Sequence, residues 1–130
     1  AALSWKCRVS SVKDLPDGSG VSYGHRYITR GTERIAAASI GYADGFRRWT
    51  GNVALIGNKK VQQAGTICMD QSMWKLDDNA PVKEGDEIVL IGRQGDEVIT
   101  ADEIAAQWGT INYEVICGLM DRVPRFYIDK

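Results

Sequence analysis

Glycine punctuation constrains this sequence more than any other feature. Fourteen glycines, against three prolines, cut 130 residues into short apolar segments; an average chain carries about 7% glycine. Glycine reaches the left-handed backbone that tight turns need, so the pattern predicts many short strands joined by compact turns. A chain this long makes one domain, since domains run about 50–250 residues, and it can bury roughly two-thirds of its unfolded surface. The 44% hydrophobic content and the net charge of −1 exclude a disordered chain. Sixteen basic against seventeen acidic residues also argue against a nucleic-acid or anionic-membrane surface. No apolar run approaches the roughly 20 residues of a membrane span. The segments 1–9 and 123–128 both read as strand. Such abrupt ends suggest a domain cut from a longer chain.

Along the chain, residues 3–13 read as a strand, and Leu15 to Gly20 as a turn by composition. Val21 to Thr29 reads as a second strand, in which Tyr23 and Tyr27 would share a face. Arg34 to Ile40 is a buried strand, broken by the compact loop Gly41-Tyr42-Ala43-Asp44-Gly45. Gly57-Asn58 between 52–56 and 60–64 is a two-residue hairpin signal. Gly65 to Leu76 is expected to continue as one or two strands, followed by a polar loop to Gly85 and a buried strand, Glu87 to Ile91. Gly92 to Gly95 then turns the chain into Glu97-Val98-Ile99. Only beyond this does the period become helical. Thr100 and Glu103 form a capping box ahead of Ile104, Ala105 and Trp108, and Gly109 suits the C-terminal cap. A second short helix, Ile111 to Cys117, and a final strand complete the prediction. The fold class is mostly β: a small, closed or nearly closed barrel with two short helices near its C-terminal end.

No stand-alone catalytic set is visible. Cys7, Cys68 and Cys117 form no CxxC pair and read as free, packed thiols of a reducing compartment. One histidine, His25, argues against a zinc site or a serine triad, and no metal is expected. Asp44, Asp70, Asp77 and Asp78 read as loop and turn residues. Tyr23, Tyr42 and Tyr113 each sit in a turn-like context. A buried or interfacial phenol with a wet hydroxyl is the plain reading. The chemical one is a phenol in a dry, cationic pocket that moves a proton.

Six motifs in order carry a family likeness. They are Val21-Ser22-Tyr23-Gly24, Ile40 to Arg48 (IGYADGFRR), Gly65 to Gln71 (GTICMDQ), Ile91 to Gly95 (IGRQG), Thr110 to Glu114 (TINYE) and Arg122 to Arg125 (RVPR). Together they make residues 1–130 resemble the C-terminal β domain of bacterial alanine racemases, enzymes that use pyridoxal 5'-phosphate. The resemblance implies an N-terminal α/β barrel, absent from this chain, which holds the cofactor through a lysine. Lys6, Lys13, Lys59, Lys60, Lys75, Lys83 and Lys130 match no such lysine. It also implies a head-to-tail homodimer in which this domain completes the site on the partner subunit's barrel. In that pattern Tyr23 matches the catalytic tyrosine, which exchanges the α-proton on one face of the substrate while the barrel lysine serves the other. Met69 matches the residue whose backbone amide holds the substrate carboxylate. Tyr42 and Arg48 match residues of the substrate entrance, and Tyr113 one whose hydroxyl reaches the cofactor phosphate. Thr66 departs from the pattern, standing where many members carry an arginine.

The activity so implied is interconversion of L- and D-alanine, which supplies D-alanine for peptidoglycan. The substrate is a small amino acid, the setting is cytoplasmic unless the full-length protein is membrane-tethered, and no nucleic acid or membrane contact is expected of this domain. A racemase for serine or another amino acid is an alternative, and a non-catalytic β-barrel interaction module is another.

Overall fold

The computed structural model describes residues 4–21, 27–44, 46 and 51–110. Within them the strands are β1 (Trp5–Leu15), β2 (Gly20–Val21), β3 (Tyr27–Ile28), β4 (Glu33–Ala38), β5 (Val53–Ile56), β6 (Lys59–Gln63), β7 (Ser72–Leu76), β8 (Glu87–Gln94) and β9 (Glu97–Ile99). A helix, α1 (Ala101–Trp108), follows, and a 3-10 turn at Tyr42–Asp44 lies between β4 and β5. Six strands pair in the order β1-β4-β7-β6-β5-β8, and β8 returns to β1. The sheet therefore closes into an antiparallel barrel, as the sequence predicts, which removes the open edges that make sheets associate.

Strand β1 makes the closure because it serves two neighbours. Trp5 to Arg8 pair with β8, while Val9 to Leu15 pair with β4, with a register shift between Val9 and Ser11. An extra residue there bends the strand, and the Ser10 hydroxyl donates to the Ala37 carbonyl at 3.1 Å. Trp74, Ile56, Ile88 and Leu90, which the strand pairings place on one face, fill the inside of the ring and are buried. Alternation along β4 puts Ala36 and Ala38 into this interior core and Ile35 onto the opposite face. There Ile35 joins Val21 and Ala64, with Tyr27 and Met73 packed against them. The small β2–β3 hairpin thus lies over the outside of the barrel.

The turns follow their sequence signals where glycine and asparagine set the backbone. Gly57 (φ 62°) and Asn58 (φ 64°) make the two-residue β5–β6 turn, both in the left-handed region that suits a twisted hairpin. The Thr100 hydroxyl accepts from the Glu103 amide at 3.0 Å, and Gly109 ends α1 with φ 70°.

Three sequence expectations are corrected. Val21 to Thr29 is not one strand: Val21 pairs with Tyr27 antiparallel, so these residues belong to two strands, and 22–26 lie outside the described residues. Residues 65–71 form a loop, and only Ser72–Leu76 is strand. Strand β8 runs through Gly92 to Gln94, and the turn falls at Gly95–Asp96. Ladder pairing to β9 carries the strand past Gly92, against the local glycine signal. The expected second helix at 111–117 and the final strand lie outside the described residues, so α1 is the one α-helix among those described.

Candidate functional site

Two loops meet at one rim of the barrel. The first leaves β4 and holds Gly41 and the Tyr42–Asp44 turn; the second, residues 64–71, joins β6 to β7. Asp44 organises the first. Its carboxylate accepts from the Gly41 amide at 3.0 Å, while its own amide donates to the Gly41 carbonyl at 3.0 Å. Buried Asp44 is therefore a turn-forming residue, in line with its plain sequence reading. A few residues on, Phe46 drops into the interior. It meets Trp5, Trp74 and Trp108 at ring-centroid distances of 5.6, 6.0 and 5.8 Å.

The second loop is closed by the Cys68 amide, which donates to the Gln71 carbonyl at 2.9 Å and leaves Met69 and Asp70 at the tip. Its root is held from within: the Gln63 amide nitrogen donates to the Gly65 carbonyl at 2.6 Å, and Asn52 donates to Gln63 at 2.8 Å.

The loops are locked backbone to backbone. The Tyr42 amide donates to the Cys68 carbonyl at 3.1 Å. A Cβ on Gly41 would come within 2.0 Å of that same oxygen and 2.5 Å of the Met69 carbonyl oxygen. Only glycine admits so close an approach. As a result Tyr42 and Met69, distant in sequence, are brought together. They are also among the few large apolar side chains left exposed, at 43% and 53%. A phenol and a thioether held in the open on a rigid platform form a wall rather than a pocket, because small-ligand sites bury most of their ligand in a concavity.

Of the other sequence candidates, Tyr23, Arg48 and Tyr113 lie outside the described residues, as do His25 and Cys117. Thr66 is buried within the second loop. Cys7 and Cys68 are half-buried thiols outside any disulfide. Burial, with a contribution from the Asp44 carboxylate, pushes the Cys7 thiol up to about 12, which keeps it from acting as a nucleophile near neutrality. Lys6, Lys59, Lys60 and Lys75 each pair with a carboxylate, Glu87, Asp77, Glu103 and Glu33 respectively. A cavity of about 370 Å³ lies between the β5–β6 turn and residues 77–81, lined by none of the residues of the two rim loops.

Sequence reasoning missed two things. Gly41 is a close-approach glycine; the signal was its place between an apolar strand and a tyrosine, which spacing alone cannot distinguish from an ordinary turn. Glu33 is buried and accepts a hydrogen bond from the Tyr27 hydroxyl. Its position at the head of an apolar run concealed it.

The described geometry agrees with the comparisons to known proteins. The family model for "Alanine racemase, C-terminal domain" matches residues 2–127. An alanine racemase of Symbiobacterium thermophilum is 50% identical over 128 residues, covering 97% of this chain and 34% of the relative. Alanine racemase 1 of Bacillus subtilis is 45% identical and covers 99% of this chain and 33% of its own length. Among solved structures, the alanine racemase of Bacillus anthracis with bound L-Ala-P superposes with a TM-score of 0.90 at 44% identity, over 97% of this chain and 32% of that one. The alanine racemase of Streptomyces lavendulae gives 0.89 at 35% identity, over 98% of this chain and 34% of that one. The chain thus spans about a third of the length of these relatives, and it belongs to the alanine racemase C-terminal domain family.

Proposed function

We propose that this chain works as one wall of an amino-acid racemase site, within a longer protein that interconverts L- and D-alanine. The observation that carries this reading is the rim where Gly41 seats Tyr42 against the Met69 loop and leaves both side chains open. An open wall requires an apposed surface, and the reading supplies it from the α/β barrel of the partner subunit in a head-to-tail homodimer.

Racemisation takes the α-proton from one face and returns one to the other, so two acid–base groups must oppose each other. Tyr23 is assigned the group on this domain, with a barrel lysine as its opposite. The Met69 backbone amide is assigned to the substrate carboxylate, and Tyr42 and Arg48 to the entrance. The described residues do not fit a pyridoxal phosphate seat of their own. Four of the described lysines are held in ion pairs, and in the 370 Å³ cavity the one cation, Lys59, is paired with Asp77 and stands beside a second carboxylate, Asp78, which would repel a phosphate. The cofactor is accordingly assigned to the barrel, with Tyr113 as this domain's contact to its phosphate. Two thiols outside any disulfide suit a reducing, cytoplasmic setting.

The test joins this domain to the pyridoxal-phosphate barrel of the Symbiobacterium relative and follows L-alanine to D-alanine, with L-serine in parallel. Racemisation of alanine in preference to serine is expected, and Tyr23→Phe should abolish it in the L-to-D direction. A joined protein that binds cofactor yet racemises neither amino acid would overturn the reading in favour of an interaction module.

A further inference from the structure

A relay of polar groups runs from α1 to the root of the Met69 loop. The indole of Trp108, the last residue of α1, donates to Asn52 Oδ1 at 2.8 Å. Asn52 Nδ2 donates to Gln63 Oε1 at 2.8 Å, and Gln63 Nε2 donates to the Gly65 carbonyl at 2.6 Å. Asn52 is 0% exposed and Gln63 7%. Gln63 stands opposite Trp74, on the face that fills the ring. The direction of the relay is set at its start. An indole N–H can only donate, so it holds the Asn52 oxygen toward α1 and turns the Asn52 nitrogen toward Gln63. That in turn leaves Gln63 its own nitrogen for Gly65.

Buried amides are costly unless paired, and two apolar side chains would fill the same space. What the amides add is a hold on one backbone carbonyl. Gly65, with φ 79°, is the left-handed residue at which the chain leaves β6 for the loop. Just before it, the Ala64 amide donates to the Met73 carbonyl at 2.9 Å. Just after the loop begins, Cys68 ties it to Gln71 and to Tyr42. The Gly41 contact thus fixes the loop near its tip, and the relay fixes the peptide from which it departs.

We infer that Gln63 and Asn52, oriented by Trp108, are positioning residues for the Met69 amide: they set the direction in which the loop leaves the barrel, and so the placement of the N–H that holds the substrate carboxylate. This rests on the reading of the Met69 amide as the carboxylate contact. A hydrogen bond weakens steeply away from its preferred distance and angle, so a loosened root should be felt by the carboxylate and not by the amine.

The experiment uses the full-length, cofactor-loaded protein that carries this domain. Two competitive probes against L-alanine separate the ends of the substrate: propionate has the carboxylate without the amine, and ethylamine the amine without the carboxylate. Gln63→Met keeps the length of the side chain and removes both of its hydrogen bonds. KM for L-alanine should rise about fivefold with kcat within about twofold, the pattern of lost ground-state binding. KM for D-alanine should rise alongside it, because both enantiomers present the same carboxylate. The Ki of propionate should rise by a similar factor, and that of ethylamine should stay within about twofold of the parent. Trp108→Phe, which keeps a ring and removes only the donor at the far end, should give the same pattern at smaller size. Exchange of the Cys68 amide should quicken in both variants with the barrel strands unchanged. The inference is overturned if both variants leave KM and the propionate Ki at parent values, if propionate and ethylamine weaken together, or if Cys68 exchange is unaltered. A parent enzyme on which propionate does not compete with L-alanine would instead overturn the underlying carboxylate reading, while the exchange measurement would still report on the relay.

Discussion

Tyr42 and Phe46 sit four residues apart and have opposite fates. Phe46 is 1% exposed, edge-on to Trp5 and Trp108 and tilted against Trp74. Tyr42 is exposed beside Met69 on the rim. The same short stretch is anchored from below by packing and held from the side by a backbone lock at Gly41. Burial gives stability but uses up a side chain, since a ring closed in by the core can touch no ligand. Exposure leaves a side chain available but gives it no position. The stretch separates the two tasks: Phe46 supplies the energy that fixes the backbone, and Tyr42 is carried on it.

That contrast breaks or sharpens under substitution. Phe46→Ala should be the most damaging change, costing about 3–5 kcal/mol as a large buried aromatic, read as a lowered urea midpoint. A loss no greater than that of Tyr42→Ala would erase the distinction. Gly41→Ala comes next. Its Cβ must push the Cys68 and Met69 carbonyls away, at about 1–3 kcal/mol for an overpacked contact. On the proposed reading, in the full-length protein it should also raise KM for alanine, because the loop bearing Met69 moves.

A third test is pH. Burial pulls the Glu33 carboxyl upward, but the Tyr27 hydroxyl, the Arg30 amide and the Lys75 ammonium outweigh it and hold the group below its ordinary value of 4.5. A depressed carboxylate contributes stability above its unfolded pKa and loses it as pH falls through the folded one. The parent should therefore lose stability below about pH 4.5 more steeply than Glu33→Gln, measured by unfolding at pH 7 and in steps downward. Tyr27, by contrast, is pushed up to about 12, first by burial and then by the Glu33 carboxylate, so it stays a donor throughout. The smallest structural effect belongs to Tyr42→Ala, within about 0.5 kcal/mol as for most exposed positions, while substrate kinetics in the full-length enzyme should change.

Much of the barrel was legible from the sequence because its signals are local. The Gly57-Asn58 turn, the Thr100 cap and the Gly109 stop all depend on what a residue and its near neighbours can do. Ring closure was foreseen only in outline, from the cost of open edges. The split of β1 between two partners depends on residues about 80 positions away, beyond the reach of periodicity. The pairing of Val21 with Tyr27 went unseen because both suit a strand, and nothing nearby says that they pair with each other. The site was legible as motifs and illegible as geometry. Tyr42 and Met69 were named from resemblance, but the reason they meet is a missing Cβ at Gly41 and a pair of backbone oxygens.

The divided allegiance of β1 also has a kinetic meaning. Its N-terminal half finds its ladder only on β8, Trp5 opposite Ile91 and Arg8 opposite Glu87. The β5–β6 and β8–β9 hairpins, by contrast, join neighbours in sequence. Loop-closure entropy must be met before distant pairings return any energy. The hairpins should therefore form early, and the barrel should shut last, when the chain has been laid down as far as residue 91. During synthesis on the ribosome, β1 of this domain waits for β8.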